Sequence, residues 1–166
     1  MRFVLAATVG CFLIAVSPIS AKQIGVFSDW SAHVEGNGKS RTCWVYSKPV
    51  KHEGKYKKRG LIYSLITHVP RNKVANQIQF TAGYIFKKGS DAELTIGKNK
   101  FKLFTHKDTA WSRNKREDAA IVRAMRSGSK MIITGVSSRG TKTKDTYSLS
   151  GVSAAHDKIS KACKIR

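Results

Sequence analysis

The stretch from Met131 to Cys163 constrains this chain more than any other. It begins Met131-Ile132-Ile133-Thr134-Gly135-Val136, an apolar, β-branched run with the chemistry of a buried strand. Ser138-Arg139-Gly140 breaks the run, Thr143 to Leu149 resumes extended chemistry, and Gly151 stops it. Ala154, Ala155, Ile159 and Ala162 then recur at the spacing of a helix stripe that ends on Cys163. Strand, turn, strand and helix form a closing unit, and such a unit needs a sheet to receive it.

The upstream chain supplies one. Val26 to Val34 alternates and predicts a first strand with Trp30 toward the core; Gly36-Asn37-Gly38 is a turn signal, and Thr42 to Tyr46 answers as a second strand. Pro49 opens a charged segment, Lys51 to Gly60, expected to be a loop. Leu61 to His68 and Gln77 to Phe86 alternate again, joined by the basic connector Pro70-Arg71-Asn72-Lys73, with Gly83 read as a bulge. Glu93 to Thr105 predicts a hairpin about Gly97-Lys98-Asn99, with Leu94, Ile96, Phe101 and Leu103 on its apolar face. Between Ser112 and Gly128 the period becomes helical, with Asn114 as N-cap and Gly128 as stop. The expected fold is all-β: a β-sandwich or partly open barrel of short antiparallel strands, with one helix near 114–127 and another near 153–163.

Residues 1–21 have the tripartite form of a secretory signal peptide: Arg2, then the uncharged apolar stretch Phe3 to Val16, then Pro18 and a small residue, Ala21, for cleavage. The apolar run is short for a bilayer span, which needs about 20 residues. Residues 22–166 are then a single domain. Cys11 leaves with the leader, so the mature chain keeps two cysteines, Cys43 and Cys163, the number one disulfide needs in an oxidising compartment. The protein is expected to be exported: periplasmic, attached to the outer membrane, or secreted.

Lys and Arg number 31 against 10 Asp and Glu, a net charge of +21, of which the leader accounts for one unit. Such an excess selects anionic partners. Nucleic acid would be the default for a cytosolic chain, but export argues against it and leaves lipopolysaccharide, phospholipid or acidic glycan. The candidate contact residues are Lys55, Tyr56, Lys57, Lys58 and Arg59, backed by Arg71, Lys73, Lys87 and Lys88.

Catalytic patterns are sought and mostly not found. Gly38-Lys39-Ser40 resembles the tail of a phosphate-binding loop, but His33 stands where the first glycine is required and the segment joins two expected strands. Gly151-Val152-Ser153-Ala154-Ala155 nearly matches a nucleophile elbow, with His156 as the nearest base, yet its last glycine is absent. Ser127-Gly128-Ser129-Lys130 matches S-x-x-K on letters alone. His33, His52, His68, His106 and His156 show no metal-ligand spacing. No enzyme, metal, cofactor or small-molecule substrate is expected; the alternatives are a secreted hydrolase combining Ser153 with His156, and a basic nucleic-acid binder.

Trp30, Cys43, Ala82-Gly83-Tyr84, Phe101-Lys102-Leu103-Phe104 and Asp108-Thr109-Ala110-Trp111 occur in an order that resembles a known family. So do Ser138-Arg139-Gly140-Thr141, Asp145-Thr146-Tyr147-Ser148-Leu149-Ser150-Gly151, Ala154-Ala155 and Ala162-Cys163. Together they are similar to the invasion associated locus B family of alphaproteobacterial envelope proteins. The resemblance implies an exported all-β protein without catalytic activity, linked in some pathogens to invasion of host cells, erythrocytes among them. A host-cell receptor is the partner it implies.

Overall fold

The computed structural model describes residues 21–165. The expected leader, apart from Ala21, therefore lies outside the described residues. Eleven strands are present: β1 (Lys22–Phe27), β2 (Trp30–Glu35), β3 (Thr42–Ser47), β4 (Lys51–Gly54), β5 (Tyr63–Val69), β6 (Val74–Thr81), β7 (Ala92–Ile96), β8 (Asn99–His106), β9 (Thr109–Trp111), β10 (Lys130–Val136) and β11 (Lys142–Ser148). Two helices, α1 (Lys115–Ser127) and α2 (Val152–Cys163), complete the fold. The strands form one antiparallel sheet in the order β1-β2-β3-β5-β6-β9-β8-β7-β10-β11-β4, which is not closed and ends at β1 and β4.

The sheet bends over its own core at β8, whose first half pairs with β7 (Leu103↔Ala92) and whose last residues pair with β9 (Phe104↔Trp111). Strands far apart in the order therefore meet face to face. Phe80 on β6 and Tyr147 on β11 stack edge to face with ring centroids 6.1 Å apart, and Trp30 Nε1 on β2 donates to the Ser148 carbonyl at 3.0 Å. Trp30, Ile66, Ile78, Leu94, Leu103, Met131 and Tyr147 fill the interior and are fully buried. This is the open, curled all-β architecture expected, with both helices close to their expected bounds.

Helix α1 starts at Asn114, whose side chain accepts from the Glu117 N–H at 2.9 Å. It docks on β6 through Asp118. Strand β9 reaches only Gln79 to Thr81, so it leaves the neighbouring Ile78 N–H unpaired, and Asp118 Oδ1 accepts that N–H at 2.8 Å. Helix α2 lies across β1, β2 and β3. It starts at Gly151 with φ +87°, where a Cβ would collide with the Phe27 carbonyl oxygen, so only glycine lets the helix approach β1 this closely. Its far end is tied to β3 by the Cys43–Cys163 disulfide, as the cysteine count implied.

The structure corrects three local expectations and adds one strand. Val26 to Val34 is two strands: β1 and β2 meet at the two-residue turn Ser28-Asp29, with Phe27 opposite Trp30 and Ser28 at φ 50°. A two-residue turn pairs each residue with the one three positions on, so it switches the face of a period-2 pattern: Phe27 shares a face with Trp30, and Val26, opposite Ser31, is left 62% exposed. The charged segment after Pro49 is loop only in part, because Lys51 to Gly54 form β4 and pair with β11. Charged side chains suit that outermost position, where they discourage further strand pairing. Strand β9 has only three residues, too few for a readable alternation. Finally, Gly83 is no bulge: it follows the end of β6 at φ +70°, and its carbonyl accepts the Gly60 N–H at 2.9 Å.

Candidate anion-binding cleft

The basic loop after β4 does not lie free on the surface. Residues Lys55 to Gly60, the segment Gly83 to Ile85 and the β10–β11 turn from Ser137 to Thr141 enclose a cleft of about 620 Å³. Its lining contains Lys55, Lys57, Lys58, Arg59 and Arg139, the hydroxyls of Ser137, Ser138, Thr141 and Thr143, and no Asp or Glu. Lys55, Lys57, Lys58 and Arg139 are exposed, and among the described residues none of the four is in an ion pair.

Arg59 behaves differently from its neighbours. Its side chain turns inward and is 4% exposed, as is that of Asp145 on β11. Nη1 and Nη2 donate to the two carboxylate oxygens of Asp145 at 2.7 and 2.5 Å, and Nε donates to the Ala82 carbonyl at 2.7 Å. The guanidinium carbon lies 5.4 Å from the Tyr56 ring centre and 5.1 Å from that of Tyr84. Burial works against this charge. The hydrogen bonds and attraction of Asp145 outweigh it, with Tyr56 and Tyr84 assisting, so the Arg59 pKa rises above its ordinary value. Arg59 is thus the anchor of the loop, and its charge is already matched.

Tyr56 packs on Gly54 and under Arg59, and its hydroxyl meets His52 Nδ1 at 2.5 Å. Tyr84 lines the opposite wall, with its hydroxyl 2.7 Å from Thr143 Oγ1; burial is the main cause of its raised pKa. Lys87 and Lys88 continue from that wall, and both are exposed; the Lys87 N–H donates to the Val136 carbonyl at 2.9 Å. Arg71 and Lys73 are not brought to the cleft. They follow β5, whose seven residues span roughly 20 Å from the end nearest the loop. Arg139 takes their place; its only sequence signal was a cation in the tight turn between the last two strands.

The other candidate residues fall elsewhere. Gly38–Ser40 is a short 3-10 turn joining β2 to β3. Ser127 closes α1, with its hydroxyl donating to the Arg123 carbonyl at 3.1 Å. Ser153 Oγ donates to the Arg126 carbonyl at 3.4 Å. His156 Nδ1 accepts from Arg126 Nη1 at 3.2 Å, which leaves Nε2 to donate to Asn76 Oδ1 at 2.7 Å. Both ring nitrogens of His156 are therefore engaged away from Ser153.

A second histidine, His68, is fully buried beneath α2, edge-on to His156 with ring centres 5.3 Å apart. Its Nδ1 accepts the Asn76 N–H at 3.0 Å, so the neutral ring carries its proton on Nε2, which faces Ser160 Oγ at 3.1 Å. That tautomer donates to the serine and cannot act as its base. Desolvation, with His156 close by, lowers the His68 pKa to about 4.

The family model described as Invasion associated locus B (IalB) protein matches residues 30–160. The chain belongs to the invasion associated locus B family. The matched span runs from the first residue of β2 into α2, so every wall of the cleft lies within the family domain, as does Cys43. Cys163 falls three positions beyond it. Neither curated proteins nor solved structures give a match.

Proposed function

We propose that this invasion associated locus B protein is an exported, non-enzymatic envelope protein that holds anionic surfaces of the envelope or of a host cell through its cleft, and so assists host-cell invasion, erythrocytes included. The observation that carries this reading is the lining itself: exposed Lys55, Lys57, Lys58 and Arg139 converge on one concavity with hydroxyl donors and without an acid. Each basic side chain near an anionic membrane contributes about 1 kcal/mol, screened over a Debye length of roughly 8 Å at physiological salt. Export is supported by the disulfide and by family membership. The bond pattern around Ser153, His156, His68 and Ser160 favours no hydrolase, and the expected export disfavours nucleic acid.

The test is retention on heparin and on erythrocytes across a salt series, with the triple variant Lys57→Glu, Lys58→Glu, Arg139→Glu beside the parent. Binding should weaken steeply with salt and largely disappear in the variant. Retention that is unchanged in 0.5 M salt, or indifferent to the three charge reversals, rules the reading out.

A further inference from the structure

Beside the cleft stand two apolar side chains that core packing does not explain. Leu61 is 74% exposed and Ile85 is 55% exposed. Both leave the backbone near one crossing, where the Gly60 N–H donates to the Gly83 carbonyl: Leu61 follows Gly60, and Ile85 lies two residues after Gly83. Ile85 is not on a loose loop, since its carbonyl accepts the Ser138 N–H at 2.7 Å and its side chain lines the cleft. Isolated surface leucines are ordinary. A leucine and an isoleucine fixed beside unmatched lysines make an amphiphilic surface instead.

A soluble polyanion gains nothing from an exposed Leu and Ile. Nor is the cleft's Tyr56 free to stack on a sugar ring, because it is packed on Gly54 and beneath Arg59. A lipid interface offers both chemistries at once, phosphate at the level of the ammonium groups and hydrocarbon a few ångströms deeper. We propose that this face docks on the phosphate-bearing surface of an anionic phospholipid membrane, with Lys55, Lys57, Lys58 and Arg139 at the headgroups and Leu61 and Ile85 seated in the acyl boundary. The inference rests on the anion-binding reading above and adds the lipid to it. Among the described residues no helix is long and apolar enough to cross a membrane, and this docking needs none.

The experiment compares the parent, the Leu61→Ser, Ile85→Ser double variant and the charge-reversal triple variant on three probes: phosphatidylcholine vesicles containing phosphatidylglycerol, pure phosphatidylcholine vesicles, and heparin. The parent should bind the phosphatidylglycerol vesicles and leave the pure phosphatidylcholine ones. The double variant should lose at least about tenfold in vesicle affinity, the least expected even if only one of its two aliphatic side chains is fully seated in hydrocarbon, and keep its heparin retention. A Leu61→Trp variant should gain a blue-shifted emission with phosphatidylglycerol vesicles and none with heparin. Vesicle affinity unchanged in the double variant, an unshifted Leu61→Trp spectrum, or binding to heparin without vesicles overturns the lipid assignment. If the triple variant still loses heparin in those cases, the broader anion-binding reading survives; if it keeps heparin, both readings fail.

Discussion

The buried pair between Arg59 and Asp145 makes a demanding prediction, because each side chain is only 4% exposed. Arg59→Ala removes the two bonds that satisfy the Asp145 carboxylate and abandons that charge inside the fold. Breaking a buried pair from one side costs about 3–5 kcal/mol. The lost bond to the Ala82 carbonyl and the contacts with Tyr56 and Tyr84 act in the same direction, without adding in full. Against a total stability of about 5–15 kcal/mol for a domain, that is roughly a fifth at the least and the whole at the most. Replacing both partners by apolar residues of similar volume, Arg59→Met with Asp145→Leu, should cost far less, about 0–1 kcal/mol, since no uncompensated charge remains. Urea denaturation at pH 7 measures both numbers, and trypsin cleavage after Lys55, Lys57 or Lys58 reports whether the loop has come free. Arg59→Ala should be cut quickly and unfold at a midpoint lowered by the equivalent of about 3–5 kcal/mol; the double variant should keep the midpoint yet be cut faster than the parent. A single variant that loses under about 1 kcal/mol, or a double variant worse than the single, would refute the assignment of Arg59 as an anchor whose loss exposes a buried carboxylate.

Two other perturbations have signs that follow from the structure. Reducing Cys43–Cys163 opens a loop with a sequence separation of 120 residues, so the urea midpoint should fall by the equivalent of roughly 5 kcal/mol in the chain-entropy limit; an unchanged midpoint under reductant would show that the bridge is idle. His68 has a pKa of about 4 in the fold against 6.5 when unfolded, so folding excludes its proton. Its contribution is complete above pH 6.5 and drains as pH falls toward 4, by about 3 kcal/mol in all; unfolding curves at pH 7, 5.5 and 4.5 should show that slope, and His68→Gln should flatten it.

What could be read from the chain beforehand divides along physical lines. Local signals were legible: the β10–β11–α2 unit, the β7–β8 hairpin and the capped helix α1 each rest on period, turn chemistry or capping within or between adjacent elements. The disulfide was legible by counting. The Ser28-Asp29 turn was hidden because it holds neither Gly nor Pro, Ser28 itself taking the positive φ, and β4 by its charge, since an edge strand needs no apolar face. The site was legible only in half. Lys55, Lys57 and Lys58 announce themselves as a run, but a run cannot show which member turns inward, and Arg59 does so for a partner 86 residues away. Arg139 could not be assigned to that run, because only the pairing of β4 on β11, with Gly54 opposite Thr143, brings the β10–β11 turn to the loop.

The placement of the few acids explains why unmatched positive charge collects at this cleft. Glu53 lies between Lys51 and Lys144, Asp91 meets Arg113, Glu93 meets Lys100 and Asp157 meets Arg126. Glu117 accepts the Arg113 N–H at the start of α1, and Asp118 and Asp145 are buried on Ile78 and Arg59. Exposed pairs of this kind contribute little to stability, but they commit the carboxylates locally, and none reaches Lys55, Lys57, Lys58 or Arg139. Seven of the 10 acids are thus committed to a cap, a buried bond or a local pair, against 31 bases in the chain, and none of the 10 lines the cleft. The cleft is therefore positive by the same distribution that builds the fold. A polyanion drawn to the net charge of the whole surface should meet there several unpaired cations gathered in one concavity.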